Sequence, residues 1–233
     1  MNLCRWTAVG AICVAATAMS ACNKMTEGTP VSRSTAPVTA TAAPRATLPT
    51  GSAGNGAPPI GVVPTTRATI PAQTVTCSQP TKPGIMVVAK VADPQAPKVT
   101  VPVPAGWTLA RGSGDVATRM EGPDGFAATV TIAPTKLDAA EAFRQYADQV
   151  TAKYAISALS LLPGELCDYS GQKLMGTLSN TAQDAIQFDD HVVHVWTNTK
   201  NYLVAVHVQA PAGVTDMDTI SETLTGDFEI RIP

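Results

Sequence analysis

The sequence predicts an α+β sandwich built on an antiparallel β-sheet. Most segments after residue 85 alternate apolar and polar residues, which is typical of half-buried strands. Two other segments repeat apolar residues every three or four positions, as amphipathic helices do. The resulting order of strands, helix, strands and helix is characteristic of α+β folds rather than of parallel α/β folds.

The predicted strands lie in two blocks of the chain. The turn residues Gly122–Gly125 predict a hairpin in the first block, and Lys200 with Asn201 predicts the turn of a hairpin in the second. Strands are expected at Ile85–Val91, Lys98–Val103, from Trp107, Val116–Glu121, Phe126–Ala133, Glu165–Tyr169, Gln172–Leu178, Ala185–Asn198, Tyr202–Ala210 and Ile230–Ile232.

Two helices are predicted. Asp138 and Glu141 have the spacing of a capping box at the start of a helix that reaches residue 154. The second helix begins behind Thr215 or Asp216 and ends at Gly226. The apolar stripes consist of Phe143, Tyr146, Ala147, Val150 and Tyr154 in the first helix, and Met217, Ile220 and Leu224 in the second. Such stripes pack on a sheet.

The N terminus carries the pattern of an exported lipoprotein. Arg5 precedes the uncharged run Trp6–Ala18, and the small residues Ser20 and Ala21 stand before Cys22. A lipobox of this kind is cut before the cysteine, whose sulfur then receives diacylglycerol. The run is too short for a membrane-spanning helix, which needs about 20 apolar residues. We therefore expect a lipid anchor at Cys22 and a location on the extracytoplasmic face of the cell membrane.

Composition divides the chain into three parts. Residues 1–21 are the predicted signal peptide, residues 22–76 the lipidated cysteine with a linker, and residues 77–233 the globular domain. The linker has many Thr, Pro and Ala and no aromatic residue, so we expect it to be disordered. As a flexible coil it would reach roughly 40 Å.

Cys77 and Cys167 are the cysteines of the predicted domain. In an oxidising compartment, two such thiols most simply form one disulfide. A metal site is the alternative, but two cysteines about 90 residues apart without a Cys-x-x-Cys pair favour the disulfide. We expect no metal and no cofactor.

The charge of the domain excludes some partners. The chain has 16 basic and 18 acidic residues, of which five basic and one acidic lie before residue 77. The domain therefore has 11 basic and 17 acidic residues, a net charge of −6. A protein of this charge repels nucleic acid. Membrane contact is expected to come from the lipid rather than from a basic patch. The domain is expected to be a monomer.

Several segments resemble the mycobacterial LpqN/LpqT lipoprotein family. Lys98–Trp107 contains a Pro-x-Pro-x-x-Trp turn like that at the start of the family domain. The helix near residues 138–154, the glycine-containing strand around Gly171–Gly176 and the tail Asp216–Ile220 are similar as well. The resemblance covers most of residues 85–233. The resemblance implies a PsbP-like α/β/α sandwich, in which an antiparallel β-sheet is flanked by helices. It also implies an actinobacterial cell envelope, lipid handling or envelope-protein partners, and no catalytic motif.

The histidines are the candidates for site chemistry. With the hairpin turn expected above, His194 lies opposite His207, and Trp196 lies beside both. Two facing histidines could bind zinc or copper, with Asp190 or Gln209 nearby. Because no close third ligand is evident, a polar, partly exposed strand face is the favoured interpretation.

The sequence does not predict an enzyme. It contains no Gly-x-Ser-x-Gly elbow, no phosphate-binding glycine loop before a helix, and no nucleophile beside a base. The predicted function is a non-catalytic accessory protein of envelope lipid transport that binds a lipid or small ligand in an apolar pocket between sheet and helix. Possible wall residues are Trp107, Phe126, Phe143 and Tyr146, which a hydrophobic core explains equally well.

A second function class is a docking or scaffold module. Such a module would bind an envelope protein through an exposed face of the sheet. The strand face with His194, Trp196 and His207 is the predicted surface for this function.

Overall fold

The strands of the second half of the chain pair with those of the first half in two antiparallel sheets. The computed structural model describes residues 59–65, 67–78, 84–181 and 183–233, so the predicted anchor at Cys22 lies outside it. The strands are β1 Val75–Cys77, β2 Ile85–Ala89, β3 Lys98–Val103, β4 Thr108–Arg111, β5 Val116–Glu121, β6 Ala127–Thr135, β7 Ile156–Pro163, β8 Ser170–Ser179, β9 Ile186–Trp196, β10 Asn201–Pro211 and β11 Glu229–Arg231. The helices are α1 Ala139–Thr151 and α2 Met217–Thr225.

The larger sheet has seven strands in the order β4-β5-β6-β10-β9-β8-β7, and the smaller has four in the order β1-β11-β3-β2. All pairs are antiparallel. The predicted α+β class, with an antiparallel sheet and flanking helices, is confirmed. The small sheet was not predicted as a separate layer, because it joins short strands from opposite ends of the domain.

Both faces of the seven-stranded sheet are covered. The valine-rich face, predicted to point toward the core, packs against the four-stranded sheet and α2; its members are Val193, Val195, Val204, Val206 and Val208. The opposite face packs against α1, where Phe143 meets Phe188, Val192 and Ala205. This second face differs from the predicted polar, partly exposed one, because β9 also carries apolar residues between its polar ones.

Both predicted helices are confirmed. The Asp138 carboxylate accepts a hydrogen bond of 2.9 Å from the Glu141 backbone N–H, as an N-cap residue does. The predicted stripe of α1 faces the sheet, with Phe143 fully buried. In α2, Leu224 is buried and the chain leaves the helix at Gly226, but Asp216 before it makes no side-chain cap.

Two strand predictions differ from the structure. The segment Glu165–Tyr169 is a tight turn instead of a strand, since Leu166 and Tyr169 exchange backbone hydrogen bonds of 3.0 and 3.2 Å. Cys167 lies in this turn with φ 54°. Strand β7, Ile156–Pro163, was not predicted, because its sequence does not alternate apolar and polar residues.

The β9–β10 hairpin turns two residues earlier than predicted. The Thr197 N–H donates to the Lys200 carbonyl at 3.0 Å, which places Asn198 and Thr199 at the turn. Asn198 adopts φ 71°, a left-handed conformation that asparagine tolerates better than most residues.

This turn changes the histidine pairing. His194 lies opposite Leu203, and His207 lies opposite Asp190. The predicted His194–His207 pair is therefore wrong. Both residues still share one face of the sheet, because the pairing shifts by four residues, and a shift by an even number keeps every side chain on its face.

Residues 59–65 and 67–70, here called the strap, were assigned to the linker by composition but lie against the domain. The Gly61 carbonyl accepts from the Gly171 N–H at 2.9 Å. At the other end, Ile70 and the Asn198 side chain exchange two hydrogen bonds of 2.7 and 2.8 Å. Among the described residues, contacts with the domain therefore begin N-terminal to the predicted boundary at Cys77.

The predicted disulfide between Cys77 and Cys167 is present, with a Cα–Cα distance of 5.8 Å. Cys77 is buried in the core at the end of β1. Beside the bridge, the Tyr169 hydroxyl donates to the Thr76 hydroxyl at 2.7 Å. These contacts connect the start of the domain with the turn before β8.

Candidate binding cleft

The four residues predicted to form a ligand or partner face do not come together. Trp107 packs near Phe126, with ring centroids 6.1 Å apart. Trp196 lies under the strap, where the Arg67 guanidinium is 5.0 Å from its ring. A pocket of about 250 Å³ beside it is lined by Thr65, Ala68, Ile70, Thr76, Asp168, Tyr169 and Trp196. His194 and His207 occupy two further environments.

His194 is a buried residue at the base of α1. Its Nε2 lies 3.1 Å from the Leu137 carbonyl, to which it can donate a hydrogen bond. Its Nδ1 has no hydrogen-bond partner within the described residues. Burial lowers the pKa of His194 and outweighs the backbone bond and the nearby Asp138. His194 is therefore neutral and holds the segment at Leu137 that leads into α1.

His207 lines a cleft of about 340 Å³ between α1 and the seven-stranded sheet. The helix contributes residues from its C-terminal half and the following turn, and strands β5, β6, β8 and β10 contribute the opposite wall. The lining residues are Val116, Arg119, Thr129, Thr131, Tyr146, Gln149, Val150, Lys153, Tyr154, Leu178, His207 and Gln209. The cleft thus combines an apolar and aromatic part with a basic part.

The register of the sheet places the polar residues in one row across four strands. Thr129 of β6 lies between Arg119 of β5 on one side and His207 of β10 on the other. Beyond His207, the row continues with Asp190 of β9. Neighbouring strands are about 4.8 Å apart, so Arg119 and His207 start roughly 10 Å apart on the same face. Thr129 lies between them on the floor of the cleft.

A buried hydrogen-bond network holds His207 in place. The Asp190 side chain is fully buried, and its Oδ1 is 2.5 Å from His207 Nδ1. The Tyr146 hydroxyl of α1 donates to Asp190 Oδ2 at 3.1 Å. On the other side of the ring, His207 Nε2 lies 3.0 Å from Gln209 Oε1. Since each ring nitrogen faces an acceptor oxygen, the imidazolium form satisfies both contacts.

The electrostatics agree with this assignment. Burial acts to lower the pKa of His207, but the Asp190 carboxylate, through its charge and its hydrogen bond, raises the pKa above the ordinary value. Lys153 is close enough to act in the opposite direction. Burial and the Asp190 charge raise the pKa of Tyr146 well above its ordinary value, so its hydroxyl remains a donor.

The arrangement is suited to binding. A carboxylate that orients a histidine also occurs in general-base sites, where the other ring nitrogen faces a nucleophile. Here that nitrogen faces Gln209, and the residues that line the cleft include no serine or cysteine. The cleft presents fixed donors and positive charges beside an apolar wall.

No group of three or more His, Cys, Asp or Glu side chains is arranged to hold a metal ion in the part of the chain that the structure describes. Among the helices of the same residues, none is long and apolar enough to cross a bilayer.

Sequence reasoning found part of this cleft. Tyr146 was a predicted wall residue, and His207, Asp190 and Gln209 were in the predicted histidine cluster. Arg119 and Lys153 were missed. Lys153 stands seven residues after Tyr146, a spacing that places two helical residues on one face, so the helix periodicity held a signal for it. Arg119 reaches the cleft because β5 lies next to β6 and β6 next to β10. This order of strands could not be predicted from the sequence.

Comparison with known proteins gives a distant structural likeness. No family model matches the chain, and no curated protein matches it. Among solved structures, the chain is similar to LpqN of Mycobacterium tuberculosis, whose crystal structure is described as that of a protein involved in cell envelope biogenesis. The likeness covers 63% of this chain and 91% of that chain, with 15% identity and a TM-score of 0.48. Membership of the LpqN/LpqT family stays a prediction from the sequence motifs.

Proposed function

We propose that this protein is a non-catalytic lipoprotein of the cell envelope that binds an acidic amphiphile in the cleft between α1 and the seven-stranded sheet. The amphiphile is a lipid or a small ligand with an anionic head and an apolar part, which suits an accessory role in envelope lipid transport. The observation that carries the proposal is the grouping of basic side chains at one apolar cleft of an acidic domain.

The charge distribution supports an anionic ligand. The domain from residue 77 onward has a net charge of −6, yet the charged residues that line the cleft are Arg119, Lys153 and His207. Neither Arg119 nor Lys153 forms an ion pair with any acidic residue that the structure describes. Free positive charges in a concave site attract an anion, and the Thr129 hydroxyl between Arg119 and His207 adds a donor.

The apolar wall supports an amphiphile rather than a simple anion. Val150, Tyr154 and Leu178 lie in the same cleft as the basic side chains. A volume of about 340 Å³ is at the lower end for ligand sites. This volume suits a head group and the first part of a hydrocarbon chain. Each CH₂ group of the ligand that is buried contributes about 0.8 kcal/mol to the free energy of binding.

A calorimetric titration tests the ligand class. The full chain with Cys22→Ser, which cannot be acylated at this position, is titrated with dodecyl phosphate. Two control probes separate the contributions: inorganic phosphate has the head alone, and dodecyltrimethylammonium has the same tail with the opposite charge. We expect binding of dodecyl phosphate and much weaker binding of both controls. Equal affinity for both amphiphiles would contradict the anionic site.

Substitutions in the cleft identify the residues that bind. Arg119→Gln and Lys153→Gln are each expected to weaken dodecyl phosphate binding about tenfold, because each removes a charged contact of about 1.4 kcal/mol. Arg144→Gln is the matched control, since Arg144 is a basic residue of α1 that is 69% exposed and lies outside the cleft. A loss of affinity in Arg144→Gln equal to that in the cleft variants would refute the site.

The anchor is tested separately at Cys22. We propose that Cys22 is acylated after removal of residues 1–21 and that the domain works on the extracytoplasmic face of the membrane. The sequence Met19–Cys22 after an uncharged run supports this. Metabolic labelling with palmitate in the producing bacterium is expected to be lost in Cys22→Ala and retained in Cys13→Ala. Retained label in Cys22→Ala would disprove the anchor.

The alternative, a protein-docking module, does not gain support at the predicted face. His194 is buried, and Trp196 and His207 lie in different pockets.

A further inference from the structure

We infer that Gln209 determines which head groups the cleft accepts, through a side-chain amide whose direction is set by the protonation state of His207. Beside a charged His207, the amide presents its N–H₂ group to the cleft. Beside a neutral His207, it presents its carbonyl oxygen. The inference rests on the proposed function, since it concerns the same cleft, and it adds the condition under which an anionic head group is held.

Gln209 is placed to contact both His207 and a ligand. The two residues lie on one face of β10, and Gln209 Oε1 is 3.0 Å from His207 Nε2. Gln209 also lines the cleft. Its amide nitrogen has no hydrogen-bond partner among the residues that the structure describes. The N–H₂ group is therefore available to a bound molecule.

The neighbours of Gln209 in the sheet leave the orientation of its amide to His207. In the register of the strands, Gln209 lies between Ala127 of β6 and Phe188 of β9. Neither of these side chains can form a hydrogen bond with an amide. The contact with the His207 ring therefore determines which end of the amide points into the cleft.

With a charged His207, a chain of hydrogen bonds ends in two donors at the cleft. His207 Nδ1–H donates to Asp190, and Nε2–H donates to Gln209 Oε1. An amide that accepts through its oxygen turns its nitrogen, with two N–H donors, to the other side. Together with Arg119 and the Thr129 hydroxyl, these donors suit a head group that only accepts hydrogen bonds, such as a phosphate, sulfonate or carboxylate.

Loss of one proton from His207 reverses the amide. Because a carboxylate only accepts, Asp190 keeps the proton on Nδ1, and Nε2 of the neutral ring becomes an acceptor. Gln209 can complete this contact only by turning its N–H₂ group toward the ring, which leaves its oxygen in the cleft. The ring itself is held by Asp190 and by Phe188, whose centroid is 6.1 Å away in a stacked arrangement. The cleft thereby loses a positive charge and exchanges a donor for an acceptor, and both changes disfavour an anion.

The other charged groups around His207 do not reverse in this way. Asp190 raises the pKa of His207, whereas burial and Lys153 lower it. The positive charges of Lys153 and Arg119 attract an anion whether or not His207 is charged. The titratable and charged groups on this side of the sheet are Asp190 of β9, Tyr146 of α1, Lys153 after α1, and Arg119 and Glu121 of β5, while β6 and β8 contribute the uncharged Thr129, Leu174 and Leu178.

The ligand-free protein tests the reversal of the amide directly. In the ¹⁵N-labelled full chain with Cys22→Ser, the ring nitrogens report by NMR the midpoint at which His207 loses its proton. Above this midpoint, a coupling through the hydrogen bond is expected between the Gln209 amide nitrogen and His207 Nε2, because an N–H···N bond then joins them. Below the midpoint no such coupling is expected. The variant Gln209→Leu identifies the amide signal by its loss.

Two results of this measurement would overturn the inference. One is a His207 that loses its proton without a coupling to Gln209 at any pH. The other is a His207 that stays charged up to about pH 9, since the amide would then never turn. Neither result depends on a ligand, so the measurement decides the inference separately from the proposed function.

The affinity for dodecyl sulfonate tests the consequence for binding. Its head group remains a monoanion on both sides of the His207 midpoint, so the ligand itself does not titrate. In calorimetric titrations, Gln209→Leu is expected to bind about tenfold more weakly than the parent below the midpoint, because a donor to the anion is lost. Above the midpoint, it is expected to bind at least as tightly as the parent, because the parent then presents an oxygen.

Thr129→Val is the matched control. The Thr129 hydroxyl can rotate to donate at any pH, so its loss is expected to weaken binding by the same factor on both sides of the midpoint. An equal loss of affinity on both sides in Gln209→Leu would mean that Gln209 acts only by shape, and it would overturn the inference. Absence of dodecyl sulfonate binding on both sides would refute the proposed function, while the coupling in the ligand-free protein still decides the direction of the amide.

Discussion

Replacing both Cys77 and Cys167 by alanine is expected to lower the free energy of unfolding by about 4–5 kcal/mol. The bond closes a loop of 90 residues. A crosslink of this span lowers the conformational entropy of the unfolded chain, which stabilises the folded state by about that amount. For a domain of this size, the loss corresponds to a melting temperature lower by roughly 8–20 °C. Chemical denaturation followed by circular dichroism measures the change.

The loss is expected to be concentrated at the start of the domain. β1 has three residues and pairs with β11 through an irregular ladder, so the disulfide is its strongest connection to the rest of the fold. Without the bond, amide hydrogens in the strap and in β1 are expected to exchange faster than those in β9 and β10. Hydrogen exchange followed by mass spectrometry distinguishes this local effect from uniform destabilisation.

Reduction provides the control for the double variant. Dithiothreitol is expected to destabilise the parent protein by a similar amount and to leave the Cys77→Ala/Cys167→Ala variant unchanged. Cys22→Ser, which changes a cysteine outside the domain, is expected to unfold like the parent. A double variant within about 1 kcal/mol of the parent would show that the bond has no such role.

The elements predicted best from the sequence are those with one face toward solvent and the other toward the core. The bounds of β3 and β5 are as predicted, since Lys98–Val103 and Val116–Glu121 each have a recognisable period. The start of α1 was predicted because Asp138 and Glu141 interact locally. In these elements the nearest neighbours in sequence determine the structure.

Elements held by backbone contacts were not predictable in this way. The strap is fixed through the carbonyls of Ile60, Gly61 and Ile70, and backbone groups leave no pattern in the side chains. β7 is exposed on both faces, so it lacks an alternation that a sequence pattern could reveal. Both segments become visible only when their distant partners are known.

The candidate cleft depends on a register that the sequence left open. The side-chain period put His207 on the correct face, but a two-residue difference in the turn decided whether it met His194 or Asp190. That difference depends on Asn198, whose φ of 71° sets the turn. The chemistry of the cleft follows from this choice, because a histidine beside a buried carboxylate carries a positive charge more readily than one beside another histidine.

Asp190→Ala is expected to lower the free energy of unfolding by about 3–4 kcal/mol. The side chain is fully buried and accepts hydrogen bonds from Tyr146 and His207. Removing it leaves the Tyr146 hydroxyl and the His207 ring without their partner, and the loss of one member of a buried charge pair is costly. Tyr146→Phe is the matched control, for which the loss of one hydrogen bond is expected to cost about 1 kcal/mol.

The cost of Asp190→Ala is also expected to depend on pH. In the parent, the folded-state pKa of His207 is raised above the value of 6.5 that applies to the unfolded chain. The stability that this pair contributes is therefore fully present below about pH 6.5 and is lost as the pH rises through the raised pKa. In the variant, burial and the Lys153 charge disfavour the charged form of His207, and the contact with Gln209 is what still favours it. The difference in unfolding free energy between the two proteins is thus expected to be largest near about pH 6 and smaller near about pH 9.

This difference isolates His207 from the other histidines. Burial lowers the pKa values of His191 and His194, so both make the folded state less stable as the pH falls below their unfolded value. They do so in the parent and in the variant alike, so their effect cancels when the two proteins are compared. Urea denaturation of both proteins between pH 5.5 and 9 measures the difference in unfolding free energy. A difference that stays constant over this range would mean that His207 carries no charge in the folded protein, and the positive site in the cleft would then reduce to Arg119 and Lys153.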